Sequence, residues 1–181
     1  MDKKIAFLGT PNFAVPILKS IHQSNYKISC VFSQPPRKSN RGHKLNKSPI
    51  HLLSEELGIQ IKTPENIEKE IDFIKSLNLD LAIVVAYGQI LSKNILSLSK
   101  NGFINIHASL LPRWRGAAPV QRAIENNDKE TGITIIKMND KIDEGPILVQ
   151  QHIEINDLTD GKQLIDQISH DSCSLLYNTL K

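Results

Sequence analysis

Two cysteines in 181 residues rule out a disulfide framework, and neither Cys30 nor Cys173 has the spacing of a metal ligand. Both are expected to be neutral thiols in a reducing compartment. No window approaches the roughly 20 consecutive apolar residues of a membrane-spanning helix. The apolar run after Lys4 is also far too short for the hydrophobic region of a secretory signal. A cytoplasmic protein without a membrane partner is therefore expected. Gly9-Thr10-Pro11 carries neither a dinucleotide fingerprint nor the lysine of a phosphate-cradling glycine loop. No His/Cys cluster has zinc spacing, so no metal is expected. Repeats, low-complexity tracts and an internal linker are absent as well, which makes one domain the economical count.

What is present is a globular mixture, 40% apolar and 23% charged. A chain of this size buries roughly 70% of the surface it exposes when unfolded. The net charge of +3 hides an asymmetry. Residues 1–54 hold nine Lys or Arg against one acid, a balance of +8, whereas residues 55–181 hold thirteen against eighteen, a balance of −5.

Ile5 to Gly9 reads as a buried strand running into a turn, followed by a helix capped by Asn12 with Phe13, Val15, Ile17, Leu18 and Ile21 on its apolar face. Lys27 to Phe32 is a second strand, and Ser33 to Asn46 a polar surface loop. Ser48-Pro49 opens a helix that Gly58 closes. A weak strand at 59–61, a helix over 66–77 and a strong strand over 79–85 follow. Strands are then expected at 103–107, 132–138 and 147–155, with helices from about 117 to 126 and after a cap at Thr159 or Asp160. Continuous apolar strands separated by helices indicate the α/β class, with a Rossmann-like, doubly wound, mostly parallel sheet.

The strand 103–107 delivers polar side chains at its C-terminal end, the edge where ligands collect in open α/β sheets. Asn105 and His107, two apart on a strand, point to one face about 6.6 Å apart along it. A histidine can exchange protons near pH 7, and an amide can donate to an oxygen on which charge develops. Asp143, in the turn 139–145, supplies a carboxylate able to orient that histidine. Each has an ordinary structural reading too: a satisfied core histidine, and a turn aspartate bonded to nearby backbone. The sole tryptophan, Trp114, sits between Arg113 and Arg115, a pattern suited to stacking on a base or binding phosphate, or to a packed connection. Residues 34–47 carry five positive charges and no acid, as a loop meeting a phosphate backbone would, or simply a solvated charge run.

Asn105 to Gln121, Asn-Ile-His-Ala-Ser-Leu-Leu-Pro-Arg-Trp-Arg-Gly-Ala-Ala-Pro-Val-Gln, resembles the methionyl-tRNA formyltransferase family. Gly9-Thr10-Pro11-Asn12-Phe13-Ala14, Val85-Ala86-Tyr87-Gly88-Gln89 and the 34–45 segment resemble it too, so the likeness spans essentially the whole chain. It implies the formyltransferase fold and transfer of the formyl group of 10-formyltetrahydrofolate to the amino group of methionyl initiator tRNA. Asn105, His107 and Asp143 would be catalytic. The folate would be held by Val85, Ala86, Tyr87, Gly88, Gln89, Ile90 and Leu91, by Ser109, Leu110, Leu111 and Pro112, and by Asn139, Asp140, Lys141, Ile142 and Gly145. Thr10 and Phe13 would lie near the methionyl end, with Arg37, Lys38, Arg41, Lys44, Arg113 and Arg115 contacting tRNA.

The sequence departs from the family pattern at Pro36, where an aspartate is usual, and at Asn40, where glycine often precedes the arginine matched by Arg41. Both changes reduce turn flexibility in the basic loop. The resemblance also implies a catalytic domain truncated before a linker and a C-terminal tRNA-binding domain, acting as a monomer. The triplet alone is equally compatible with a folate-dependent enzyme that formylates a small amine, and the basic loop with a noncatalytic tRNA-binding fragment.

Overall fold

A computed structural model describes residues 3–38, 45–156 and 158–181. The chain forms two compact units, Met1–Phe103 and Ile104–Lys181.

The first unit is built on β1 (Lys4–Gly9), buried at every position from Ile5 onward. Such a strand must be covered on both faces and flanked on both edges, which is why it reads as an uninterrupted apolar run. Its neighbours are β2 (Lys27–Phe32) and β6 (Leu81–Val85), both parallel to it. The short strand β5 (Ile61–Lys62) extends β2, also in parallel. Between these strands lie α1 (Val15–His22), α2 (Pro49–Glu56) and α3 (Ile71–Ser76), with 3-10 turns at Asn12–Ala14 and Ile67–Glu70, and a one-turn α4 (Lys93–Leu96) follows β6. The α/β class and its parallel sheet are present here as the apolar runs predict.

Local signals placed α2 well. The Ser48 hydroxyl accepts the His51 amide at 3.0 Å, Pro49 stands at the first position, and Gly58 adopts a left-handed φ of 66° just past the end. Other expectations need correction. Asn12 is not a side-chain cap: it begins the 3-10 turn, whose preceding residue Pro11 makes no side-chain cap bond. The expected helix 66–77 is divided between the 3-10 turn and α3, although Asn66 does cap it, accepting the Glu68 amide at 2.9 Å. The stretch 33–46 is not wholly loop, because β3 (Arg37–Lys38) pairs antiparallel with β4 (Leu45–Asn46). Backbone pairing of this kind needs no apolar alternation, so a polar ribbon leaves no periodic signal.

The second unit runs from Ile104 within β7 (Phe103–His107) through α5 (Pro119–Glu125), β8 (Glu130–Lys137), β9 (Ile147–Glu154) and α6 (Gly161–Leu180). Here the pairing is antiparallel, the minority that a mostly parallel sheet allows. β7 pairs antiparallel with β8, and β8 antiparallel with β9. Only Met138 to Pro146 separates β8 from β9, too short a connection for a parallel crossover. β8 is buried from Thr131 to Ile136, whereas β9 is largely exposed or half-buried, as an outer strand is.

α6 packs on α5, β8 and β9. Leu164, Ile168 and Leu176 lie on its buried face. At its start the Asp160 side chain accepts the Lys162 and Gln163 amides, both at 2.9 Å. No helix among the described residues is long and apolar enough to cross a membrane. Replacing Asp160 with alanine removes the cap from an exposed site and should lower stability by about 1 kcal/mol, read as a shift of the urea midpoint at unchanged slope.

Candidate active site

In the second unit β7 ends by presenting Asn105 and His107 to one another's face of the strand, as their spacing predicts. The turn after β8 returns Asp143 to both. Asn105 Nδ2 donates to Asp143 Oδ1 at 3.1 Å, and His107 Nδ1 lies 3.5 Å from Asp143 Oδ2. The side chains of His107 and Asp143 are only 7% and 12% exposed, so bulk water screens this contact little. Asp143 Oδ2 also accepts the Gly116 amide at 2.8 Å. A buried carboxylate requires such donors.

His107 Nε2 lies 2.9 Å from the Trp114 carbonyl oxygen. A carbonyl only accepts, so Nε2 is the donor and holds a proton there. That leaves Nδ1, beside the Asp143 carboxylate, as the nitrogen at which a proton is taken up or released. Nε2 is thus engaged, whereas Nδ1 pairs with the Asp143 carboxylate only when it is protonated as well. Asn105 is different. It is half-buried, and among the described residues its second N–H and its carbonyl oxygen have no partner.

Backbone strain marks the same segments. Asn78, Asn127 and Asp143 (51°) have positive φ, as asparagine and aspartate tolerate, but so do Ala86 (49°), Trp114 (60°) and Ala118 (55°). Left-handed backbone in such residues persists only where surroundings enforce it, and it clusters at functional sites. Gly145 completes the Asp143 turn by close approach, since an added Cβ would strike the Lys137 carbonyl oxygen.

The remaining expected residues of this unit are placed as follows. The Ser109 hydroxyl donates to the Arg113 carbonyl at 2.6 Å. The Leu111 amide donates to Thr134 Oγ1, and the Leu111 carbonyl accepts from Gln150, which ties this stretch to the sheet. Leu110 packs where Gly132 leaves room, and Pro112 is exposed. Asn139 Oδ1 accepts the Lys141 amide, while Asp140, Lys141 and Ile142 are exposed. Arg113 is held by Asp128 through two bonds of 2.7 and 2.6 Å, and Arg115 by Glu144 at 2.9 Å. A cleft of about 430 Å³ in this unit is lined by Leu111, Arg113, Trp114, Asp128 and Gln150 among others, and none of Asn105, His107 and Asp143 borders it. The triplet, which has the chemistry, is the stronger candidate.

In the first unit, Gly9 of β1 faces Val85 of β6, and both strands end there. Just beyond, Thr10 Oγ1 donates to the Tyr87 carbonyl at 2.8 Å and Gln34 Nε2 to the same oxygen at 3.2 Å. Gln89 accepts the Ile67 amide at 2.9 Å and donates to the Pro64 carbonyl at 2.8 Å. Tyr87 and Leu91 are buried, and Ala86, Gly88 and Ile90 exposed. Burial and the nearby Glu70 carboxylate push the Tyr87 phenol well above its usual range, so it stays neutral. Phe13 is half-buried in the 3-10 turn, and Arg37 and Lys38 are exposed on β3. Arg41 and Lys44 lie outside the described residues.

Among the described residues, no group of three or more His, Cys, Asp or Glu is arranged to hold a metal. Sequence reasoning missed Gln34, Asp128, the Trp114 carbonyl and the Gly116 amide as parts of these networks. Backbone groups leave no residue-type signal. Asp128 had one available, since an Arg-Trp pair offers several donors and requires an anion.

The formyl transferase family model matches residues 3–180. The chain belongs to the formyl transferase family. It is 53% identical over 172 residues to methionyl-tRNA formyltransferase of Pelagibacter ubique, covering 93% of this chain and 56% of that protein. With the protein of the same name from Caulobacter vibrioides the identity is 47% over 175 residues, covering 96% and 57%. The formyl transferase chain thus spans a little over half the length of these curated relatives. Phosphoribosylglycinamide formyltransferase from Bacillus halodurans superposes with a TM-score of 0.82 at 21% identity, covering 98% of this chain and 93% of that one. A formyltetrahydrofolate deformylase from Pseudomonas syringae gives 0.77 at 20%, covering 99% and 60%. These solved structures share the Rossmann-like formyl transferase fold.

Neither cysteine is near the triplet in sequence, and Cys30 is chemically quiet. Burial pushes its thiol from 9.0 up to about 12, with Lys62 offsetting only part of the effect. Iodoacetamide at pH 8 should therefore label Cys173 in the native chain and leave Cys30 unlabelled until unfolding. A raised folded value also fixes the sign of the linkage: the contribution of Cys30 is intact below about pH 9 and is lost as pH rises toward about 12. Cys30→Ala should flatten the stability profile across that window, and equal slopes in both proteins would contradict the assignment.

Proposed function

We propose that this chain carries the transfer chemistry of a methionyl-tRNA formyltransferase, moving a formyl group from 10-formyltetrahydrofolate to the amino group of methionyl initiator tRNA. The observation that carries the chemistry is the single carboxylate of Asp143 meeting both Asn105 and His107. Identity of 53% to a methionyl-tRNA formyltransferase supports the choice of acceptor over a small amine.

The attacking amine must be neutral, because an ammonium has no lone pair. The folate donor supplies the formyl carbon. Asn105, with its second N–H unpartnered, is the group able to donate to the formyl oxygen as negative charge develops on it. His107 Nδ1 and Asp143 form the route for the proton that the amine sheds. No protein nucleophile is required, since holding donor and amine together removes much of the association entropy from the chemical step. We assign Val85 to Leu91, Ser109 to Pro112 and the 139–145 turn to the folate. Thr10 and Phe13 are assigned to the methionyl end, and Arg37, Lys38, Arg41 and Lys44 to tRNA. Arg113 and Arg115 are assigned to tRNA as well, each meeting phosphate through the guanidinium N–H groups left over from its bonds to Asp128 or Glu144.

Asn105→Ala and His107→Ala should each lower turnover at least about tenfold while leaving the donor KM nearly unchanged. The assay compares charged initiator tRNA with small amines at saturating donor. Unchanged turnover in either variant would reject its role, and preference for a small amine would reject the acceptor.

A further inference from the structure

Asp128 stands outside the triplet, yet its side chain is only 9% exposed and carries an unusual load for a residue in a polar turn. Its Oδ1 accepts from Arg113 and from Asn126, at 2.6 and 2.8 Å. Its Oδ2 accepts from Arg113 Nε and from the Trp114 indole, both at 2.7 Å. The Asp128 amide in turn donates to the Ala123 carbonyl at 2.9 Å, fixing the carboxylate to the end of α5. The Arg113 guanidinium lies 4.4 Å from the Trp114 ring centre, so three side chains form one stacked clamp.

The clamp grips a turn with two left-handed residues, Trp114 at φ 60° and Gly116 at φ 83°. Tryptophan disfavours that conformation, so an external hold is needed to keep it. What the conformation achieves is visible in the backbone: the Trp114 carbonyl meets His107 Nε2 at 2.9 Å, and two residues later the Gly116 amide meets Asp143 Oδ2 at 2.8 Å. One turn thereby sets the tautomer of the histidine and the orientation of the carboxylate.

We propose that Asp128 is a positioning residue for formyl transfer, acting through Trp114 on His107 and Asp143, a role that rests on the reading of Asn105, His107 and Asp143 as the transfer triplet. The Arg113 guanidinium holds the Asp128 carboxyl well below the usual carboxylate range, so the clamp stays ionised under ordinary conditions.

The test uses Asp128→Asn, which removes the charge at constant shape, and Trp114→Phe, which removes only the indole donor and guards against misfolding of the first variant. Nitrogen-15 spectra of the imidazole rings report the His107 tautomer directly, its signal among six histidines being assigned from His107→Gln. We expect an Nε2-protonated ring in the unsubstituted chain and loss of that preference in both variants. In transfer assays kcat should fall at least about tenfold with the donor KM within about twofold, and the double variant should fall no further than the worse single one. An unchanged His107 tautomer in both variants, or additive losses of kcat, would overturn the proposal. Absence of formyl transfer by the unsubstituted chain would count against the proposed function instead, and the tautomer comparison would still decide the role of Asp128.

Discussion

The second unit depends on satisfying one short carboxylate away from water. Asp143 takes the Asn105 amide on one oxygen and the Gly116 amide on the other, with His107 Nδ1 beside the second. Leaving a buried charge unpaired is costly, so this demand ties three separate stretches together: the end of β7, the connection into α5 and the turn between β8 and β9. The left-handed backbone of Asp143 and the close approach at Gly145 are the local consequences. Chemistry and packing therefore share the same bonds.

Charge is distributed to match. The cations that flank Trp114 are neutralised within the unit, Arg113 by Asp128 and Arg115 by Glu144, and so contribute shape more than field. The surplus of positive charge belongs to residues 1–54, of which Arg37 and Lys38 are exposed.

Much of this was legible before any coordinates. β1 and α2 declared themselves because a fully buried strand has to be apolar throughout and because Ser48, Pro49 and Gly58 are the residues that helix ends require. Asn105 and His107 were predicted to share a face because strand geometry has a period of two. The antiparallel run of β7, β8 and β9 was not legible, since burial of β8 looks the same in either orientation and a helix intervenes before it. Nor was the β3–β4 ribbon, which pairs backbone without apolar side chains. Within the site, the proximity of Asp143 to the other two followed from resemblance and not from spacing. The groups that orient the triplet stayed hidden, because two of them are backbone atoms and the third, Asp128, sits in a stretch that reads as an ordinary polar turn.

The central claim is that the negative charge of Asp143, more than its size, organises proton movement at His107. The most direct measurement is the single-turnover rate of formyl transfer by Asp143→Asn at saturating 10-formyltetrahydrofolate and charged initiator tRNA, alongside its urea midpoint. A fall of at least about a hundredfold in rate in a protein that still unfolds cooperatively is the predicted result. A rate equal to that of the unsubstituted chain would contradict the account.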